Sequence, residues 1–538
     1  MSNRNVPADG LAGLRQNLQS DLVAGFLVFL IALPLSLGIS MASGFPPVAG
    51  IFTAIIGGLV VSLFMGARVT IKGPAAGLIV IALGCIEELS RGVTPVLGYQ
   101  YALAVIVAAG VVQIVFGLIR AGVMADFFPS AAVHGMLAAI GIIIASKQMH
   151  VMVGVDPAAK TPLGQIAELP QRILDNNPEI ALIGLLSLTI LVLMPRLRHP
   201  IVRKIPAPLV VLLLSIPLGI YFDLDHEHNY RFAGHEYHLA PSMLVNRLDN
   251  LVGMITLPDF SNLANWTSIK WIIAFALVGS IESVASAKAV DTLDPHKRKS
   301  DFNRDLLAVG VGNTAAGMIG GLPMISEIVR SSANINNGAK TRWANFFHGA
   351  FLLGFVVLAP GLIHMIPKAA LAAMLVFTGF RLAHPREFIH TAQVGKDQLL
   401  VFLVTIAVTV GEDLLLGIFA GIATKLLLHI MRGAPVSALF KPDLEVRDID
   451  GGTTRITARK AAIFSNYIGL KRAIDRVPAP RNVVVDLHAT RLVDHTVMER
   501  LQELARDMEH EGRELTVVGL EGHKPVSGNT LAARTRAA

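Results

Sequence analysis

A single cysteine, Cys85, stands among 538 residues. That excludes an internal disulfide and any multi-cysteine metal or cluster site, and leaves Cys85 as a packed small hydrophobe. Charge is also scarce: Asp, Glu, Lys and Arg make up 16% of the chain against 53% hydrophobic residues, with mean hydropathy +0.58. The apolar runs reach the roughly 20 residues that cross a bilayer core, so the composition is that of a polytopic membrane protein. A signal-peptide cleavage pattern is missing too, because "MSNRNVPADGLAGLRQNLQSD" is polar and the apolar run from Leu22 to Ile39 continues into further hydrophobic sequence. The N-terminus is therefore expected to be retained.

What the chain has is a series of apolar segments broken by charges, Pro and Gly. They fall near 22–43, 46–65, 70–90, 97–119, 125–147, 178–195, 206–222, 269–289, 304–321, 323–338, 344–360, 366–380, 397–410 and 412–432, which makes fourteen expected spans. An even number places both termini on one side. The basic loops "RLRHPIVRK", "DPHKRKSDFNRD", "AKTR" and "RLAHPREFIHTAQVGK" follow the sixth, eighth, tenth and twelfth spans, all on the side of the termini. By the positive-inside rule that side is expected to be cytoplasmic, with the bacterial inner membrane as the expected location. The net charge of +7 finds its explanation in these loops rather than in nucleic-acid binding.

Beyond the membrane segments the composition turns polar. The expected organisation is a short cytoplasmic segment at 1–20, a transmembrane domain at 21–432, a small cytoplasmic domain at 441–521 and a disordered tail at 522–538. "TTRITAR", "RNVVVDL" and "ELTVVGL" read as strands, with "SNYIGLKRAIDRV" and "HTVMERLQELARDMEHEG" as helices between them. The tail, "GHKPVSGNTLAARTRAA", shows no apolar period.

Two spans begin with a Gly/Pro interruption: the third, "VTIKGPAAGLIVIALG" from Val69, and the tenth, "GGLPMISEIVRSS" from Gly320. They lie seven spans apart, the pattern of a seven-plus-seven inverted repeat whose broken helices meet near the bilayer midplane. Two half-helix N-termini would then face one central space, each with unpaired N–H groups and about half a positive charge. Together they form an anion site. Glu282, near Ser283 and Ser286, sits deep in the eighth span, where an ionisable residue costs about 2.5–3.5 kcal/mol on insertion scales and is a functional candidate. Glu327 and Arg330 admit two readings: a buried pair that neutralises itself, or electrostatic support for a bound anion beside a cation or proton partner. Lys72 is expected to snorkel to the cytoplasmic surface. In the outer loop, His226, His228, His235 and His238 could suggest zinc, but a solvated hairpin fits the loop composition better, and no metal is expected.

"DLVAGFLVFLIALPLSLGISMASGFPPVAGIFTAIIGG", "IKGPAAG", "ALVGSIESVASAKAVD" and "GVGNTAAGMIGGLPMISEIVRSSANINNGAKTRWANFFHG" resemble the SulP sulfate-permease family of inorganic anion transporters, and the cytoplasmic end resembles their STAS domain. The resemblance implies core and gate domains, elevator-like alternating access and a homodimer. It directs attention to Gly73, Pro74, Ala75, Ala76 and Gly77 in the third span, and to Ser326, Glu327, Ile328 and Arg330 in the tenth, as the substrate site. Many relatives have Thr or Ser where this chain has Ala75, so the backbone there must carry more of the anion. Sodium-coupled bicarbonate transporters of the family place a cation beside an acidic residue of the eighth span and a hydroxyl four residues on, which matches Glu282 and Ser286. Their tenth-span cation ligands are not reproduced, so Na⁺ and H⁺ both stay open, with Glu327 as a further partner for the coupling ion. In the STAS-like domain Thr496 matches a phosphorylated position of regulatory relatives, while helix capping by Asp494 or Thr496 explains it as well.

The expected function is secondary transport of bicarbonate or sulfate coupled to Na⁺ or H⁺, with no cofactor. Two membrane carboxylates near the site favour a monoanion, since like charges a few ångströms apart repel by about 4 kcal/mol at an effective dielectric of 20. A proton-coupled nucleobase permease of the same fold is the alternative. An enzyme is rejected for want of a catalytic constellation.

Overall fold

The computed structural model describes residues 6–197, 199, 205–247, 251–450 and 452–536, so most of the basic loop "RLRHPIVRK" lies outside the described residues. The chain forms two compact units, residues 1–122 with 140–382 and residues 123–139 with 383–538.

In the first unit α1 (Gly10–Ala42) starts well before the apolar run, so residues 10–20 of the expected terminal segment are helical. Asp9 opens the helix by accepting the Gly10 N–H, and the carboxylate of Asp21 ties α1 to a distant turn through Lys340 N, Thr341 N and Thr341 Oγ1. There follow α2 (Pro47–Leu59), strand β1 (Ile71–Pro74), α3 (Ile79–Leu89) and α4 (Pro95–Leu118). Helix α5 (Ser130–Met152) runs from the second unit into the first. Between the fifth and sixth expected spans lies α6 (Pro162–Leu174), whose apolar residues recur on one face only, too few for a span. The remainder of the unit is α7 (Pro178–Leu193), α8 (Ala207–Tyr221), a hairpin of β2 (His228–Phe232) and β3 (His235–Leu239), α9 (Trp266–Leu293), α10 (Phe302–Met318), strand β4 (Met324–Glu327), α11 (Ile328–Asn336), α12 (Trp343–Leu358), α13 (Pro360–His364) and α14 (Lys368–Leu382). His226, His228, His235 and His238 sit in or beside the β2–β3 hairpin, and among the described residues no group of three or more His, Cys, Asp or Glu is placed to hold a metal.

Each of the fourteen expected segments holds a helix; the third and tenth each hold a strand followed by a helix. Among the described residues six helices are long and apolar enough to cross a membrane. Small residues set the closest approaches. A methyl group added at Gly58 on α2 would come within 2.5 Å of Gly349 Cα on α12. With no room for a Cβ, these backbones meet directly, as in small-residue membrane packing. Gly349→Leu is expected to force α2 and α12 apart at a cost of about 1–3 kcal/mol or more, read as a lowered thermal midpoint in detergent; an unchanged midpoint would refute the tight contact.

The second unit contains residues 123–139, α15 (Pro385–Val394), α16 (Lys396–Gly411), α17 (Leu414–Met431) and a seven-stranded sheet. Its strands are β5 (Asp443–Asp450), β6 (Thr453–Ala462), β7 (Asn482–Asp486), β8 (Thr490–Val493), β9 (Leu515–Val518), β10 (His523–Pro525) and β11 (Arg534–Arg536), with α18 (Tyr467–Asp475) and α19 (His495–His510) as the helices. Strand β6 pairs in parallel with β7 along its first half and with β8 at its end, and β7 pairs in parallel with β9. The tail expected to be disordered is ordered through Arg536: β10 and β11 form a hairpin that adds to the free edge of β8. Main-chain pairing requires no apolar periodicity, so the sequence pattern did not reveal it.

Candidate functional site

The two helix breaks lie side by side. Strands β1 and β4 pair antiparallel, with Ile71 opposite Glu327, Lys72 opposite Ser326, Gly73 opposite Ile325 and Pro74 opposite Met324. In an apolar medium every backbone N–H and C=O must find a partner within the protein, and the two interrupted segments satisfy one another. Gly320, at φ +95°, makes the turn out of α10, in backbone space where a side chain would be strained. Tyr99 OH donates to Gly320 O at 2.6 Å and Thr53 Oγ1 to Leu322 O at 2.9 Å. Asn313 grips β4 at both backbone groups of Met324, its Oδ1 accepting Met324 N at 2.6 Å.

From these strands the two half-helices depart. α3 begins at Ile79, after a single 3-10 turn from Ala76 to Leu78, and α11 at Ile328. Neither start has a side-chain cap. Helix starts are ordinarily capped by Ser, Thr, Asp or Asn, and N-termini left uncapped in a protein interior suit an anion.

Around them polar groups lack partners. Arg330 is 1% exposed, and its Nε, Nη1 and Nη2 have no hydrogen-bond partner. A methyl group added at Gly73 would come within 2.6 Å of Arg330 Nη1, so the guanidinium reaches from α11 to the break in the third span. Glu327 is partly buried, with its Oε1 unpartnered. No hydrogen bond or ion pair within 4 Å joins Glu327 to Arg330, so neither group satisfies the other's hydrogen-bonding atoms. Glu282 is buried with Oε2 unpartnered, and a Cβ at Gly77 would overlap its Oε1. The carboxylate therefore lies against the start of α3.

The structure thus brings together Gly73, Pro74, Ala75, Ala76, Gly77, Glu282, Ser326, Glu327 and Arg330. Ser326 is fully buried and held by Ser283: its N–H donates to Ser283 Oγ at 3.1 Å. Ile328, the first residue of α11, is 42% exposed. Ser286 is partly buried, one turn along α9 from Glu282.

The snorkelling expectation for Lys72 is overturned. Its side chain is 0% exposed, and Nζ donates to Asp305 Oδ2 at 2.6 Å, Asp305 Oδ1 at 2.7 Å and Ser326 Oγ at 2.5 Å. Asp305, in the first turn of α10 where the helix dipole favours a carboxylate, also accepts Ala67 N at 3.0 Å. The pair pins β1 to β4 from behind. The partner of Lys72 lies 233 residues away, beyond any local pattern; the one signal in the sequence is a Lys and an Asp each embedded in an apolar segment.

In the second unit Thr496 is fully buried, and its Oγ1 accepts Ser130 N at 3.4 Å. Asp494 precedes α19 but makes no side-chain cap; its Oδ1 meets Lys425 Nζ at 2.8 Å instead. Burial pushes the Asp494 carboxyl up, but the Lys425 ammonium and the His429 ring outweigh it and hold it below the usual carboxylate range.

A family model described as the sulfate permease family matches residues 18–405. A putative sulfate transporter of Bacillus subtilis, YvdB, is 26% identical over 521 residues, covering 94% of this chain and 92% of its own. The bicarbonate transporter BicA of a Picosynechococcus strain is 25% identical over 418 residues, covering 78% of this chain and 71% of its own. Among solved structures, the transmembrane domain of a cyanobacterial BicA superposes with TM-score 0.61 at 25% identity, over 76% of this chain and 98% of that one. The murine Slc26a9 anion transporter in its inward-facing state gives TM-score 0.64 at 16% identity, over 96% and 90%. These are transporters and not enzymes, and the match fits a multi-pass integral membrane protein.

Proposed function

The chain belongs to the sulfate permease family, and we propose that it is a secondary active transporter that carries an inorganic anion of the bicarbonate or sulfate class inward with Na⁺ or H⁺. The observation that carries this reading is the buried, unpartnered Arg330 guanidinium held against Gly73 between two uncapped helix starts. A buried guanidinium without hydrogen-bond partners is costly, and an anion at this place would supply them. Charge-assisted hydrogen bonds from the guanidinium and backbone N–H groups of Ala75, Ala76 and Gly77 would replace the anion's hydration.

Glu282 and Glu327 flank the site, and their mutual repulsion together with a bound anion calls for a compensating cation. Glu282, with the hydroxyl of Ser286, is the proposed seat of Na⁺ or of the coupling proton. The same repulsion favours the monoanion bicarbonate over sulfate. We place the fourteen segments in a seven-plus-seven inverted repeat, with both termini cytoplasmic, in the inner membrane, as a homodimer moving by an elevator-type step. The nucleobase alternative gains no support from the relatives described above.

Uptake of labelled bicarbonate and of labelled sulfate into proteoliposomes, each with and without a sodium or proton gradient, tests the reading. Gradient-stimulated bicarbonate uptake is expected; sulfate uptake indifferent to competing bicarbonate would overturn the substrate preference. Glu282→Gln should abolish gradient-driven accumulation while leaving the detergent-solubilised protein folded, since the amide keeps the shape and loses the charge. Normal gradient-driven uptake by this variant would remove Glu282 from coupling.

A further inference from the structure

Away from the helix breaks, a cleft of about 390 Å³ opens where α1, α10 and α12 begin. Its walls include Asp9, Leu63, Arg304, Arg342 and Trp343. The Asp9 carboxylate takes Arg342 bidentately, at 3.0 Å through Nε and 2.8 Å through Nη2, so these two charges cancel. Arg304 is held differently. Its Nε donates to Phe64 O at 2.8 Å, which fixes the plane of the guanidinium, while its exposed terminal amino groups make no hydrogen bond or ion pair among the described residues. Arg68, more than a third exposed, adds a third guanidinium 3.9 Å from Asp9. Two guanidinium groups and one carboxylate line the cleft, which leaves it positive with a preset fork at its rim, and beside the lining Arg68 and the Asp301 carboxylate, which caps α10, offset one another.

Its surroundings are apolar. Leu63 is 52% exposed in the cleft wall, and Leu11, Leu18 and Leu22 project from the first turns of α1. The Trp343 indole is anchored by Nε1 to Gly10 O at 2.9 Å. Tryptophan at the start of an apolar helix is typical of the membrane–water interface. A planar, fixed guanidinium fork matches the oxygens of a phosphate group, and basic pockets between membrane helices select anionic head groups.

We infer that this cleft binds the phosphodiester head group of an anionic phospholipid, with Arg304 as its primary ligand. The same chemistry could come from free phosphate; the exposed leucines beside the cleft, which suit acyl chains, favour the lipid. The inference does not depend on the transport reading, because none of these residues belongs to the anion site.

The test uses the full-length protein in detergent, with retention of short-chain phosphatidylglycerol compared with phosphatidylcholine of the same chains by native mass spectrometry. Wild type is expected to retain phosphatidylglycerol about fivefold or more over phosphatidylcholine, as one basic contact near a membrane surface provides. Arg304→Gln and, separately, Leu63→Glu should each remove that preference without lowering the lipid-free thermal midpoint. The second variant adds a carboxylate at an exposed position and keeps the test decisive should Arg304→Gln disturb the Phe64 contact. Equal retention of both lipids by wild type, or an unaltered preference in both variants, overturns the inference. Protection by millimolar inorganic phosphate equal to that by phosphatidylglycerol would assign the cleft to free phosphate and overturn the lipid assignment.

Discussion

Arg330→Gln is expected to leave the protein folded, with its thermal midpoint equal to or above that of wild type, while raising the KM for anion uptake about 10- to 100-fold. The two halves of this expectation come from one fact: the guanidinium is buried without a hydrogen-bond partner. A buried charge without a partner costs several kcal/mol, so its removal does not unravel a network. What is lost is the contact with the anion, and a hydrogen bond to a charged group is worth about 1.5–3 kcal/mol, which converts to that change in affinity. If Arg330 and Glu327 act as a structural pair, the single variant strands Glu327 and folds poorly, and Glu327→Ala/Arg330→Ala folds normally. Thermal midpoints of the single and double variants separate the two cases. A destabilised Arg330→Gln with unchanged KM would end the anion-site reading.

Lys72→Met should be the most damaging change to the fold near the site. It leaves Asp305 buried and uncompensated and deprives Ser326 Oγ of its 2.5 Å donor. Breaking a buried ion pair from one side costs about 3–5 kcal/mol, whereas replacing both partners with apolar residues is often neutral. The double variant Lys72→Met/Asp305→Leu is therefore expected to recover most of the lost stability. Its transport should remain impaired, because the polar connection that pins β1 against β4 is gone and the two helix starts lose their fixed separation. Equal thermal midpoints for wild type and Lys72→Met would show that the pair carries no weight.

The membrane segments were legible because a bilayer imposes a length and a polarity that single residues report locally. The apolar runs and their Gly and Pro breaks sit where α1 to α5, α7 to α12, α14, α16, α17 and the strands β1 and β4 are found, while α6, α13 and α15 fall between the runs. Two features near the breaks were not legible. The antiparallel pairing of Ile71–Pro74 with Met324–Glu327 depends on backbone groups that all residues share. The Lys72–Asp305 pair joins residues from different halves of the chain, and neither residue type announces its partner. Similarly, the hairpin of β10 and β11 was hidden because edge pairing needs extended backbone, not hydrophobic periodicity.

By itself the sequence determined a membrane-grade chain with two helix interruptions seven segments apart, a polar C-terminal domain, and an intramembrane glutamate and arginine for which a role had to be found. Hydropathy, breaks and charge asymmetry are sums over neighbouring residues, and neighbours are what a sequence displays. Only the tertiary structure decided that the Arg330 guanidinium reaches Gly73, that Glu282 rests against Gly77, and that Lys72 is spent on Asp305 instead of on solvent. Those outcomes depend on which distant groups share a few ångströms of low-dielectric space, where the energy of a charge is set by the partner it finds.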